Sequence, residues 1–192
     1  MIADRFPGAS PDDGVRRWKV GRDEFYRLAD LGFFGEDRVE WLDGDIYMAP
    51  PPGGQHGTRT DELNLLLVQR LSDHFVVRNQ NGLRCPRAEL APDFALVAKH
   101  EYRRNEVPTR ATLVIEVSRS TLAYDLETKR EHYAEAGVHQ YWVIDLAHRQ
   151  VIAFEDPVPA DGRYGTMRTR VAGESLTVPT TEVTIEIDEL LG

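Results

Sequence analysis

Apolar and polar positions recur with two periods along the chain, and the changes of period mark its elements. From Arg22 to Asp30 the apolar residues Phe25 and Leu28, with Leu31 just beyond, fall at helical spacing. Gly32 follows as a stop, so a short amphipathic helix covering a sheet edge is predicted. Arg38 to Met48 reads RVEWLDGDIYM, two β-prone runs joined by Asp43-Gly44, a dipeptide suited to a two-residue hairpin turn. The Pro50-Pro51-Pro52-Gly53-Gly54 cluster ends the hairpin. Gln55 to His74 then carries Leu63, Leu66, Leu67 and Leu71 in one apolar stripe, the strongest helix signal in the chain.

Phe75 to Val77 and Leu83 to Cys85 are predicted strands flanking the turn-like Asn79-Gln80-Asn81-Gly82. Phe94 to Val97 and Leu113 to Val117 are apolar at successive positions, as expected of central strands covered on both faces. Polar Lys99 to Arg110, with Pro108, is a surface loop. A helix is expected after Ser120-Thr121 to about Ala136, closed by Gly137. Tyr141 to Leu146 and Val151 to Glu155 form a further hairpin, with Tyr141 and Trp142 as packing residues. Weaker strands follow near Thr166 to Val171 and Val183 to Ile187, then a terminal turn, Asp188 to Leu191. Residues 1–14 read as a flexible arm and 15–192 as a single domain of mixed α+β (α/β) class, a central mixed sheet with helices packed on it.

A chain of 192 residues, 41% hydrophobic and 29% charged, can bury a core without disulfides or a structural metal. No apolar run nears the roughly 18 residues of a membrane span, and the N-terminus lacks a signal-peptide core, so a cytoplasmic protein is expected. The lone Cys85 excludes an internal disulfide and a thiolate zinc cluster and reads as a small buried hydrophobe. The net charge of −9 argues against a nonspecific nucleic-acid coat. Residues 76–130 run the other way, with ten Lys and Arg against seven Asp and Glu.

That basic excess coincides with three charges in apolar settings. Asp93 opens an apolar run, Glu116 lies inside another, and Lys129 shares a helical stripe with Leu122, Leu126 and Tyr133. Unpaired burial of such groups is costly, so they are expected to meet each other, a metal, or water in a cleft. A buried Glu116/Lys129 ion pair would satisfy two of them structurally. Two carboxylates on adjacent strands with a lysine also form a kit for hydrolysis of phosphodiesters. Asp and Glu oxygens hold Mg²⁺, the metal activates water, and the lysine orients that water or donates to developing charge. No G-x-x-x-x-G-K-S/T loop, G-x-S-x-G elbow or H-E-x-x-H zinc motif competes. Asp125 reads as a residue favoured by the helix dipole, and His56 as a surface histidine near the cleft.

At these residues the chain resembles a known family. VEWLDGDIYMAPPP, APDFALV, LVIEVSRST, DLETK and YAEAGVHQYWVID are similar to segments of the Uma-two family, restriction-endonuclease-like members of the PD-(D/E)xK nuclease superfamily. The resemblance runs from about Gly21 to Leu191. It implies a mixed-sheet endonuclease core acting on DNA, with Asp93 and Glu116 as ligands of Mg²⁺, for which Mn²⁺ can substitute. The superfamily lysine expected two residues after Glu116 is replaced by Ser118, and its role falls to Lys129 on the following helix. Glu40 stands as an auxiliary group, and Gln80 as a second one approaching the metal. A homodimer would suit double-strand cleavage. The alternative from another class is a non-catalytic interaction module that keeps the nuclease fold and uses the charges as structure.

Overall fold

The computed structural model describes residues 17–48 and 53–192, so the arm expected over 1–14 and Pro50, Pro51 and Pro52 lie outside the described residues. In chain order the elements begin with α1 (Arg22–Asp30), the hairpin β1 (Val39–Leu42) and β2 (Asp45–Met48), and the long α2 (Gly54–Leu71). Strands β3 (Phe75–Asn79), β4 (Leu83–Arg84), β5 (Ala88–Leu90), β6 (Phe94–Ala98) and β7 (Leu113–Ser118) follow. Next, Leu122–Tyr124, Asp125–Lys129 and Arg130–Glu135 run on as one helix, α3, whose middle segment has π geometry. The chain ends in β8 (Gln140–Asp145), β9 (Gln150–Val158), β10 (Arg163–Val171), the small hairpin β11 (Ser175–Thr177) and β12 (Thr184–Glu186), and α4 (Ile187–Leu191).

The six residues of β7 are all buried, which explains why its sequence shows no amphipathic alternation. It pairs antiparallel with β6 and parallel with β8, in a six-stranded mixed sheet ordered β10-β9-β8-β7-β6-β3. The alternating pleat sends Leu113, Ile115 and Val117 into one core with Leu63, Leu67 and Leu71 of α2. Val114 points the other way, into a second core with Tyr133 of α3 and Leu42, Leu83 and Leu90 of a four-stranded sheet, β2-β1-β5-β4. Glu116, two residues beyond Val114, faces that second layer.

The β1–β2 turn takes positive φ at both Asp43 (50°) and Gly44 (89°), the requirement that the Asp-Gly dipeptide meets. α3 ends ahead of Gly137, whose φ is 68°. Differences from the sequence-based reading lie in long-range pairing. β3 and β4 both form, but β3 pairs with β6 and β4 with β5, so the Asn79–Gly82 segment passes between two sheets. β5 was not anticipated, β10 pairs with β9 along its length, and the expected terminal turn is helical.

Candidate active site

The β6–β7 junction brings the first two carboxylates together. The Asp93 amide donates to Glu116 Oε2 at 3.3 Å, and the Val117 amide donates to Asp93 Oδ2 at 2.9 Å. Each carboxylate is thus fixed by the backbone of the other's strand. Asp93 is 4% exposed and Glu116 2% exposed.

α3 delivers the third member. Lys129 Nζ lies 2.9 Å from Glu116 Oε1, 3.2 Å from Glu40 Oε1 and 3.7 Å from Asp125 Oδ1. The segment with π geometry spans Asp125 to Lys129, and both of these residues are buried. Such wide turns recur at functional sites. Two tyrosines stake the helix to the sheet through this segment. Tyr133 donates to Glu116 Oε1 at 2.8 Å, and the Tyr141 hydroxyl donates to the Asp125 carbonyl at 3.1 Å.

Glu40 enters from the hairpin. The Ala91 amide and the Tyr124 hydroxyl donate to its two oxygens at 3.0 and 3.1 Å. From α2, His56 Nε2 lies 3.2 Å from Asp93 Oδ2. Gln80 Nε2 is at the edge of hydrogen-bond range from Asp93 Oδ1, 3.5 Å, and Arg38 Nη1 is 3.9 Å from the same oxygen. Arg38, Glu40, His56, Asp93, Glu116, Asp125 and Lys129 line one cavity of about 640 Å³, bordered also by Tyr47, Met48, Arg119 and Thr121.

Lys129 is the single buried ammonium among four buried carboxylates, and the protonation equilibria follow from that imbalance. Burial pushes the Glu116 carboxyl up against the pull of Lys129, and the charges of Asp93, Asp125 and Glu40 add to the rise, leaving it at about 8. Burial alone would lower Lys129, but Glu116, Glu40 and Asp125 hold its ammonium well above the usual lysine range. Burial raises the Asp125 carboxyl more than Lys129 and the Thr121 hydroxyl lower it. Burial opposes ionisation of Asp93 too, yet the His56 hydrogen bond and charge, with the Val117 amide, bring it below the usual range. His56 is raised in turn, chiefly by that hydrogen bond.

Among the described residues no three His, Cys, Asp or Glu side chains form a ready-made metal cage. The donor set instead fits a hard cation that keeps much of its water, the habit of Mg²⁺. Asp93 Oδ1 and Glu116 Oε2 have only long contacts, so each has lone pairs to give. A buried excess of negative charge is also what a divalent ion would relieve.

All three residues that the sequence singled out, Asp93, Glu116 and Lys129, meet here, with Glu40 in direct contact and Gln80 at the margin. Asp125, His56, Tyr124 and Tyr133 join the site without having been assigned a role in it. Asp125 had a legible signal, since it stands four residues before Lys129, the favourable acid-before-base helical spacing. Tyr133 stands four residues after it. Nothing local marks His56 as a partner of Asp93.

The profile of the Uma2 family, described as "Putative restriction endonuclease", matches residues 22–188. No curated protein matches the chain. Among solved structures, a protein described as a "putative nuclease belonging to DUF820", from Anabaena variabilis, superposes with a TM-score of 0.68 at 17% identity, over 88% of this chain and 96% of that one. The type IIG restriction endonuclease BpuSI superposes with a TM-score of 0.41 at 18% identity, over 71% of this chain and 15% of that one. At such identity the first similarity carries the fold alone.

Proposed function

The chain belongs to the Uma2 family of restriction-endonuclease-like proteins, and on that premise we propose that it is a divalent-metal-dependent endonuclease that hydrolyses DNA phosphodiester bonds. The observation that carries this reading is the reach of Lys129 from α3 to Glu116 on β7, 2.9 Å, beside the interlocked Asp93. A lysine amine stands at the carboxylate pair although Ser118 occupies the usual lysine position.

In this reading Asp93 and Glu116 hold Mg²⁺, or Mn²⁺ in its place. The bound cation supplies a water of lowered pKa and offsets charge developing on the phosphoryl oxygens. Lys129 is kept protonated by three carboxylates, so it serves as a donor and not as the base. Its ammonium orients the attacking water through an oxygen lone pair, or meets a non-bridging phosphoryl oxygen. Glu40 and Asp125 position that ammonium, and Tyr133 orients Glu116. Gln80 is an auxiliary group at Asp93. Hydrolysis forms one P–O bond from water and breaks the P–O bond to the leaving nucleotide oxygen.

The test is nicking of supercoiled plasmid by the purified protein. Cleavage with Mg²⁺ or Mn²⁺, none with chelator, and cleavage weaker by at least about 10²-fold from folded Asp93→Asn or Glu116→Gln protein is expected. Variants as active as the wild type would sink the assignment.

A further inference from the structure

The cavity that holds the carboxylates is small, recessed and walled on one side by aromatic rings. Resting on the nuclease reading above, the geometry points to an unpaired nucleic-acid strand as the substrate, held by stacking of a base on Tyr47.

Size comes first. About 640 Å³ lies within the roughly 300–1,000 Å³ of ordinary small-molecule pockets. Such a space takes a nucleotide or two, whereas a duplex is far larger. The proposed metal ligands lie at its buried end, so the scissile phosphate must enter the cavity. A backbone phosphate is drawn into such a recess most readily from an unpaired strand, which bends freely and brings no second strand against the cavity rim.

The walls then favour rings over phosphates. Glu40 pairs with Tyr47 directly across the β1–β2 ladder, and cross-strand partners share a face. Tyr47 therefore stands on the same side as the carboxylate cluster, at the cavity mouth, 44% exposed. Behind it is Tyr124, its ring centroid 5.9 Å away. Tyr124 is immobilised by its hydrogen bond to Glu40 and by Lys129 Nζ, 5.6 Å from its ring centroid. A fixed inner ring supports an outer ring that has a face to offer, and exposed Met48 extends the apolar lip.

β2 is the edge strand of its sheet, so no described strand covers this side. Against four carboxylates, the basic side chains lining the cavity are Arg38, His56, Arg119 and Lys129, and Lys129 and His56 are already engaged by Glu116 and Asp93. Phosphate contacts drive duplex binding, and they are few here. Stacking is open to any unpaired base and closed to bases already stacked within a helix. A site that acts on one strand needs no second copy across a duplex.

The test is fluorescence anisotropy of a labelled single-stranded oligonucleotide and of its duplex, in Ca²⁺, with wild-type, Tyr47→Ala and Tyr47→Phe proteins. The single strand binds at least tenfold tighter than the duplex. Tyr47→Ala loses about 5- to 140-fold for the single strand, the range for one stacked base, and Tyr47→Phe retains wild-type affinity. Equal affinity for the two forms, including none measurable for either, overturns the inference, as does a Tyr47→Ala protein that binds like the wild type. Parallel cleavage assays in Mg²⁺ separate the two claims. Tight single-strand binding without cleavage defeats the nuclease reading alone, and cleavage of duplex with no dependence on Tyr47 defeats this one alone.

Discussion

Asp93 and Glu116 are interlocked: the amide of Asp93 donates to the Glu116 carboxylate, and the Asp93 carboxylate accepts from Val117, the residue after Glu116. Two like charges would otherwise drift apart. The backbone of the β6–β7 pair holds them on one cavity, so a cation would meet ligands already in place and lose little in ordering them.

The charge imbalance separates stability from activity at Glu116. Glu116→Gln keeps the shape and replaces the carboxyl whose ionisation the site opposes with a neutral amide. The melting temperature should stay level or rise, while DNA cleavage falls by about 10²- to 10³-fold, the scale for loss of a key electrostatic group. Thermal melts and plasmid nicking on one preparation check both. A variant that unfolds would point to a structural role for the carboxylate.

The same residue fixes a pH dependence. The Glu116 carboxyl is raised from 4.5 to about 8 in the folded chain, so between those values the native state holds a proton that the unfolded chain releases. Metal-free protein should therefore lose stability as pH rises through that window, by on the order of a few kcal/mol. Glu116→Gln should flatten the slope in urea melts taken at about pH 5 and about pH 8.5. Because a cation must displace that proton, Mg²⁺ affinity should climb over the same range, measurable by calorimetry.

Lys129→Met acts in the opposite direction. The folded lysine pKa is raised, so its stabilisation is fully present below its ordinary value of 10.5, and so throughout neutral pH. Removing it leaves Glu116, Glu40 and Asp125 unpaired and should cost about 3–5 kcal/mol near pH 8. The loss should shrink as pH falls below about 8, where the Glu116 carboxyl takes up its proton, and further in acid as the raised Asp125 carboxyl does the same. Adding Glu116→Gln to Lys129→Met should recover part of the stability. A pH-independent cost would show that packing, not charge, dominates.

His56 and Asp93 form an ion pair over a window bounded by the lowered carboxyl and the raised imidazole. The histidine's share is present below its ordinary value of 6.5 and is lost as pH rises through its raised one. His56→Gln should cost about 1 kcal/mol near pH 6 and less near pH 9, since the ring is partly exposed to screening solvent. Paired urea melts at the two pH values read the difference.

The local layers of this structure were legible, and the long-range ones were not. Continuous apolar runs at Phe94–Val97 and Leu113–Val117 identified central strands, and Asp43-Gly44 a hairpin, because both signals lie within a few residues. The division of β3 and β4 between two sheets was hidden, since their partners β6 and β5 are chosen by pairing that no short window contains. At the site, charge in an apolar setting exposed Asp93, Glu116 and Lys129. Asp125 was read as a helix-dipole residue although its i,i+4 spacing to Lys129 was legible, because a helical acid–base pair of that kind more often lies on a solvated face. His56 was read as a surface residue because its partner is 37 positions away.

The most direct measurement is an anomalous difference map from crystals of the wild-type protein soaked in Mn²⁺. A peak bonded to both the Asp93 and Glu116 carboxylates, with Lys129 Nζ beside it and no peak there in Glu116→Gln crystals, is the predicted result. Mn²⁺ density elsewhere, or none at these carboxylates in protein that still cleaves DNA, would contradict the account.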